Sequence, residues 1–100
     1  RANLLPVIAM LATVNAYLDP SAEKGLAKPY HEKVIELADT VKNKRELASA
    51  YRYLGAYYYY IAKDKEKALP FLQRAVALNP NDKQSQDILK SYGPAVNTGR

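Results

Sequence analysis

The side chains with the most chemistry to offer are four consecutive tyrosines at positions 57–60. They lie in a chain of 100 residues that has nine tyrosines, one phenylalanine and no tryptophan. Phenol rings can stack on a ligand and their hydroxyls can form hydrogen bonds, so an exposed run could bind a peptide or a sugar. The same rings could instead fill a core between helices. The surrounding residues must decide between these possibilities.

The sequence offers no group of residues arranged for catalysis. His31 is the only histidine, and its place between Tyr30 and Glu32 is typical of a surface or partly buried helix residue rather than a base or metal ligand. Cysteine is absent, no glycine-rich phosphate loop occurs, and the carboxylates are dispersed. We therefore expect a protein that is not an enzyme and has no metal site and no cofactor.

The net charge of +5 raises the question of an anionic partner. The fifteen Lys and Arg are spread along the whole chain among ten acidic residues, and the densest cluster, "KNKR" at 42–45, is typical of a solvated turn. This dispersion argues against a nucleic-acid site, which stays an alternative. No apolar run approaches the roughly 18 residues of a membrane helix, so we predict no membrane-spanning segment.

The apolar residues around the tyrosines recur with helical spacing. Leu47, Leu54, Tyr58 and Ile61 follow one another at intervals of three, four or seven, which predicts an amphipathic helix that includes the tyrosine run. The same criterion predicts five helices, at about 4–17, 24–41, 47–61, 65–78 and 82–91. Asp64 is the expected N-cap of the fourth helix, and Gly93 the expected C-terminal stop of the fifth.

An internal repeat organises these helices into two pairs. Shifting residues 25–38 by 41 positions places Ala27 on Ala68, Pro29 on Pro70 and Leu37 on Leu78. Repeat one is predicted at about 3–41, repeat two at about 44–80 and a capping helix at about 82–91, in a single domain over 1–93 with a flexible tail at 94–100. The two equivalent prolines predict a kink near the start of each second helix; the alternative is that each helix begins at its proline.

The second copy resembles a tetratricopeptide repeat. The matching positions are Tyr51, Leu54, Gly55, Tyr58, Ala68, Leu72, Ala75 and Pro80, with one extra residue in the turn between the helices. Small residues at 55, 68 and 75 suit helices that approach closely. The first copy resembles the family more weakly, because Val14 stands where Gly55 does and Met10 where Tyr51 does.

The resemblance implies an all-α fold of antiparallel helix hairpins stacked as a right-handed α-solenoid. The fifth helix is then a C-terminal cap, since Lys90 replaces the close-packing Gly55. Short stretches of the sequence also resemble longer bacterial repeat proteins, which suggests that this chain is a C-terminal fragment of such a protein. If the full-length protein carries a signal peptide, it is expected in the bacterial envelope or periplasm. If it carries none, it is expected in the cytoplasm.

The resemblance also implies a groove, lined by the first helix of each unit, that binds a peptide. Its implied residues are Asn15, Ser49, Arg52, Ala56, Tyr59, Tyr60, Gln84 and Asp87, with Ile8 and Leu11 beside Asn15. Arg52 could pair with a ligand carboxylate, while Tyr59 and Tyr60 could stack on the peptide. Alternatively, these tyrosines pack against a neighbouring repeat or a second copy. Tyr58 is assigned to packing within its own unit and Tyr57 to the seam with the next unit.

The expected function is that of a non-catalytic protein–protein interaction scaffold that binds a peptide or partner protein. One alternative is a carbohydrate- or small-ligand-binding accessory domain that uses surface tyrosines; the other is a basic nucleic-acid binder. Two and a half units are fewer than such arrays usually need, so missing N-terminal repeats or a homodimer are expected to cover the first helix. The apolar surface expected to associate with them comprises Leu4, Leu5, Val7, Ile8 and Leu11.

Overall fold

A computed structural model describes residues 4–93, which form five α-helices and, within that range, no β-strand. The helices are α1 (Leu5–Leu18), α2 (Lys28–Leu37), α3 (Lys44–Ala56), α4 (Lys65–Leu78) and α5 (Lys83–Lys90). The predicted all-α fold is confirmed. Consecutive helices contact each other, and α3 also contacts α5. None of the helices in the described range is long and apolar enough to cross a membrane. The predicted tail at 94–100 and the start of repeat one lie outside the described residues.

Helices α3 and α4 approach each other closely at Gly55. A Cβ atom placed on Gly55 would lie 2.6 Å from Cδ2 and 2.8 Å from Cγ of Leu72, and 3.2 Å from the Leu72 backbone nitrogen. Leu72 is fully buried, as are Ala68 and Ala75 on the same helix. The small residues therefore lie where the helices need them, as the sequence pattern predicts.

The core forms two clusters of buried side chains. The larger one joins α3, α4 and α5 and contains Leu54, Tyr58, Ala68, Leu72, Ile88 and Leu89. The smaller one joins α1, α2 and α3 through Leu5, Val34 and Ala50. Helix α3 belongs to both clusters and thus connects the two halves of the domain.

The tyrosine run does not continue α3 as a regular α-helix. Residues Tyr57–Ile61 form a π-helical turn, in which the Ala62 N–H donates to the Tyr57 carbonyl oxygen five residues back at 3.1 Å. Such a turn contains one residue more than an α-helical turn. Relative to the tetratricopeptide pattern that it resembles, the sequence has one extra residue between these two helices. The π-helical turn accommodates one additional residue at this place.

The turn from α3 to α4 is short and well bonded. Lys63 has a left-handed backbone with φ of 57°, and the Asp64 N–H donates to the Tyr58 carbonyl at 2.8 Å. The Asp64 side chain then accepts a hydrogen bond from the Lys67 N–H at 3.0 Å. Asp64 is thus the N-cap of α4, as predicted.

The two equivalent prolines have different surroundings. Pro29 lies in the first turn of α2, which begins at Lys28 rather than at 24, so the predicted kink is wrong there and the alternative is correct. A proline in that turn removes no helical hydrogen bond. Pro70 lies inside α4, because the Asp64 cap starts that helix well upstream of it.

Residues 19–27 form a turn instead of the predicted start of α2. The buried Asp19 carboxylate accepts hydrogen bonds from the N–H groups of Lys24, at 3.1 Å and 3.3 Å, and Leu26, at 3.2 Å. Gly25 adopts a positive φ of 66°. These local bonds satisfy backbone groups that a longer helix would otherwise have paired.

Helix α2 also ends earlier than predicted, at Leu37 instead of 41. The Asp39 carboxylate accepts hydrogen bonds from the Val41 and Lys42 N–H groups, at 2.8 Å and 2.9 Å, which lower the pKa of Asp39. Asn43 Oδ1 accepts a hydrogen bond from the Asp39 N–H at 2.8 Å. The residues that separate the two sequence copies therefore form a loop rather than a longer helix.

Replacing Gly55 by alanine tests the α3–α4 contact. We expect Gly55→Ala to lower the free energy of unfolding by about 1–3 kcal/mol, because the new methyl group overlaps Leu72. This loss opposes the ~1 kcal/mol by which alanine ordinarily favours a helix. Urea unfolding followed by circular dichroism measures it. In a Leu72→Ala background, which lacks the overlapping atoms, Gly55→Ala should lower the free energy of unfolding by much less. A Gly55→Ala protein as stable as wild type would contradict the contact.

Replacing Lys63 by glycine tests the turn that follows the tyrosines. Glycine has no Cβ atom to clash in the left-handed conformation, so Lys63→Gly should raise the free energy of unfolding by up to about 1 kcal/mol. The matched control is Lys33→Gly, which removes the same charge inside α2 and should lower stability by ~1 kcal/mol. Equal losses from the two substitutions would show that Lys63 is not left-handed in solution.

Candidate functional site

A cleft of about 550 Å³ opens between α1 and α3. Its walls come from α1 (Thr13, Ala16, Tyr17), the following turn (Pro20, Ser21, Ala22), α2 (His31), α3 (Ser49, Arg52, Tyr53, Ala56), the π-helical turn (Tyr57, Tyr60, Ile61) and α5 (Gln84). A volume of several hundred Å³ with aromatic walls and few charges is typical of sites that bind small molecules or peptide side chains.

A second cleft of about 760 Å³ adjoins the first. The two share Thr13, His31, Ser49 and Arg52, and the second extends along α3 to Lys44, Arg45 and Glu46. Together they form one long depression beside α3, which we name the α3 groove. Its length suits an extended chain better than a compact ligand.

Arg52 is the charged residue at the centre of the α3 groove. Its side chain is exposed. Among residues 4–93, no carboxylate oxygen lies within 4.0 Å of the Arg52 guanidinium nitrogens, the limit for an ion pair. Its guanidinium is therefore free to bind an anionic group from outside the chain.

His31 forms part of the groove floor and is buried. Its ring stacks on that of Tyr53, with centroids 4.3 Å apart and planes 22° from parallel. Burial and, as a smaller contribution, the positive charge of Arg52 lower the pKa of His31 to about 4. His31 is consequently neutral at pH 7 and leaves Arg52 as the positive charge between the two clefts.

Tyr53, the stacking partner of His31, has a buried hydroxyl for which the described residues provide no hydrogen-bond partner. Burial raises the pKa of this tyrosine, and the nearby Asp19 adds to the effect. The groove wall thus contains a polar atom whose hydrogen-bonding capacity is unused within the described residues.

Five of the eight residues expected at a binding groove line the α3 groove. They are Ser49, Arg52, Ala56, Tyr60 and Gln84. The first four, which the resemblance implied, recur at intervals of three and four along one face of α3 and its continuation. Gln84 joins them because α5 packs beside α3.

Helix α1 presents a different face to the groove from the one expected. Asn15 does not line it: its amide donates to the Leu11 carbonyl of its own helix at 2.8 Å. Ile8 packs against the smaller core cluster, and Leu11 is exposed outside the groove. Thr13 and Tyr17 take the expected places.

A physical reason lies in Val14, the residue of α1 that the predicted repeat aligns with Gly55. Gly55 permits the close contact of α3 with α4, whereas Val14, its equivalent in α1, is 45% exposed. A valine cannot fit at the distance that Gly55 allows, and α1 instead buries Leu5 and Ala12. The copy-to-copy alignment therefore identified the wrong face of α1.

Tyr59 and Asp87 also lie outside the α3 groove. The Tyr59 hydroxyl is 2.7 Å from Ser91 Oγ, and its ring centroid is 5.9 Å from that of Tyr92. Tyr59 thus packs against the end of α5, which is the alternative that the sequence left open. Asp87 lies on the exposed surface of α5, within 4.0 Å and 3.6 Å of the Lys83 and Lys90 ammonium groups.

The other tyrosines of the run point in three directions. Tyr58 is buried and stacks on Phe71, with centroids 5.4 Å apart, as expected for packing within its unit. The Tyr57 hydroxyl lies 3.4 Å from where a Cβ on Gly25 would be, so Tyr57 packs against the turn before α2, and it also packs against the larger core cluster. Tyr60 is 54% exposed and lines the groove.

Tyr53, Tyr57 and His31 line the groove although they were not predicted to do so. Tyr53 and Tyr57 follow Ser49 at intervals of four along one side of α3, a spacing that could have identified them. His31 comes from a second helix, and no pattern within α3 could have placed it beside Tyr53.

Comparison of the chain with protein-family models, with curated proteins and with solved structures gave no match. The chemistry of the α3 groove therefore follows from its own side chains. These provide the exposed guanidinium of Arg52, several hydroxyl and amide groups and a wall of phenol rings. Such a set can bind an anionic group, form hydrogen bonds and stack on planar groups.

The buried neutral His31 predicts a specific pH dependence of stability. In the unfolded chain this histidine takes up a proton below about pH 6.5, whereas in the folded protein it does so only near pH 4. The unfolded state therefore binds more protons between these values, and stability falls as the pH is lowered. We expect a loss of about 2 kcal/mol between pH 6.5 and pH 5.

Urea unfolding at a series of pH values measures this loss. His31→Gln removes the only histidine, so its unfolding free energy should be nearly constant over the same interval, above the range in which carboxylates titrate. A wild-type protein whose stability is also constant there would show that His31 is not buried in its neutral form.

Proposed function

We propose that this chain is a non-catalytic protein-interaction scaffold of the tetratricopeptide-repeat type, and that its α3 groove binds an extended segment of a partner protein. The helices would form antiparallel hairpins stacked as a right-handed solenoid, with α5 as the cap. The observation that carries the binding proposal is the unpaired Arg52 at the centre of a long groove with an aromatic wall.

The packing of the helices supports the repeat proposal. Each helix contacts its neighbours in the chain, and α3 and α5, the first helices of successive units in this scheme, also touch. The contact at Gly55 lies where the repeat pattern requires a small residue. A first helix shared between two core clusters is what stacked hairpins need.

The chemistry of the groove supports a partner segment that contains an acidic residue next to an aromatic or apolar one. Arg52 would bind the carboxylate, and the exposed ring of Tyr60 would pack on the neighbouring side chain. Ser49 and Gln84 would hydrogen-bond to the backbone of the segment. Catalysis is no part of the proposal, because the groove histidine is buried, neutral and stacked.

The sugar-binding alternative receives less support. A sugar ring stacks on a flat aromatic surface, but Tyr59 and Tyr60 meet edge to face, with planes 86° apart and centroids separated by 4.9 Å. Tyr59 is in addition partly buried against α5. The two rings that the sequence assigned to a common platform therefore face different neighbours.

Selection from a randomised peptide library on the immobilised chain tests the proposal. Affinities of the selected peptides are then measured for wild type, Arg52→Gln and Tyr60→Ala. We expect Arg52→Gln to weaken binding about tenfold or more, since a charge-assisted hydrogen bond contributes roughly 1.5–3 kcal/mol. The matched controls are Arg74→Gln and Tyr30→Ala, whose side chains are not part of the groove.

Unchanged affinity in both groove variants would refute the assigned site. Failure to select any peptide would refute the function itself. RNA or DNA that binds more tightly than peptides, with an affinity that falls steeply with salt, would favour the nucleic-acid alternative. Circular dichroism of each variant controls for loss of the fold.

A further inference from the structure

Helix α1 has a second apolar face that the fold does not cover. Its residues are Leu4 (52% exposed), Val7 (48%), Leu11 (37%), Val14 (45%) and Leu18 (67%). They recur at intervals of three, four, three and four, which is the spacing of a coiled-coil seam. We name this set the α1 stripe. Met10, 58% exposed, borders it.

The α1 stripe lacks the features of a solvated helix face. Residues 4–18 contain no charged side chain, whereas a helix that faces water normally carries charged or polar residues there. Two residues that the sequence assigned to the same apolar surface, Leu5 and Ile8, pack in the smaller core cluster instead. The uncovered surface of α1 therefore consists of the stripe together with neighbouring exposed residues, chiefly Met10 and Tyr17.

We propose that two copies of this chain associate through the α1 stripe. A seam with this spacing is complementary to an identical seam, because the side chains of one helix fit between those of the other at a crossing angle of about 20°. The same patch then serves both copies, as in a two-fold symmetric dimer. A charged or strongly polar partner would find no group on the stripe to pair with.

The area of the stripe agrees with a dimer. Partly exposed side chains of this size present on the order of 100 Å² each, so the stripe with Met10 presents roughly 600 Å² per copy. Two copies would bury roughly 1,200 Å², the lower end of the range for stable protein interfaces. We therefore expect dissociation in the micromolar range rather than a permanent dimer.

Electrostatics gives the dimer a distinctive salt dependence. Each copy carries a net charge of +5, so the copies repel each other while their uncharged stripes attract. Added salt screens the repulsion and should strengthen association. An interface built on ion pairs would show the opposite dependence.

The α1 stripe and the α3 groove lie on different sides of α1. The groove is lined by Thr13, Ala16 and Tyr17, none of which belongs to the stripe. Association through the stripe therefore leaves Arg52 accessible, and Arg52→Gln should not change the oligomeric state. The two proposals can fail independently.

Analytical ultracentrifugation of the full 100-residue chain tests the dimer. Wild type should reach twice its 11.2 kDa at the higher concentrations of a micromolar series, and more readily as salt is raised. Leu11→Glu should remain a monomer with the circular dichroism of a folded helical protein. The matched control is Val41→Glu, which introduces the same charge at an apolar residue 84% exposed in the loop after α2, and should still dimerise.

A rescue experiment separates a direct contact from an indirect effect. Leu11 is the central residue of the stripe, so it faces its own counterpart whether the two helices run parallel or antiparallel. Leu11→Glu and Leu11→Lys, each monomeric alone, should form a mixed dimer when combined. A wild type that stays monomeric throughout the series, so that another occupant must cover the stripe, would overturn the proposal. A Leu11→Glu protein that still dimerises, a dimer that dissociates as salt rises, or the absence of a mixed dimer would do so as well.

Discussion

The contact between Gly55 and Leu72 is the constraint on which the other features of the domain depend. It brings α3 and α4 as close as a missing side chain permits and holds Tyr58 against Phe71 in the core. Because Tyr58 is buried, the side chains of its neighbours in the chain must point in other directions. Tyr57 contacts the turn before α2, Tyr59 contacts α5, and Tyr60 lines the α3 groove. One packing contact thus separates four identical side chains into four environments.

The same contact explains the contrast between the two halves of the domain. Helix α3 has a glycine where it packs on α4, whereas Val14 of α1, which the predicted repeat aligns with Gly55, is left partly exposed. Helix α1 consequently packs through another face, and its separation from α3 leaves the space in which the clefts lie.

Charge distribution in the groove is a consequence of burial. His31 would ordinarily be a candidate for proton transfer, but its stacked and buried position keeps it neutral. Arg52, on the adjoining exposed face, has no carboxylate within ion-pair distance in the described part of the chain. The groove therefore presents an exposed guanidinium beside a neutral imidazole.

The sequence by itself determined the number of helices, the N-cap at Asp64 and the small residues at the α3–α4 contact, and it picked out Ser49, Arg52 and Ala56, three of the α3 residues that line the clefts. These depend on the spacing of residues within one helix or one turn, where interactions are local. Only the tertiary structure decided which face of α1 is buried, that His31 and Tyr53 share the groove, that Tyr59 packs on α5, and that α2 begins at its proline while α4 does not. Those outcomes depend on how closely separate segments can approach, and that distance is set by side chains far apart in the chain.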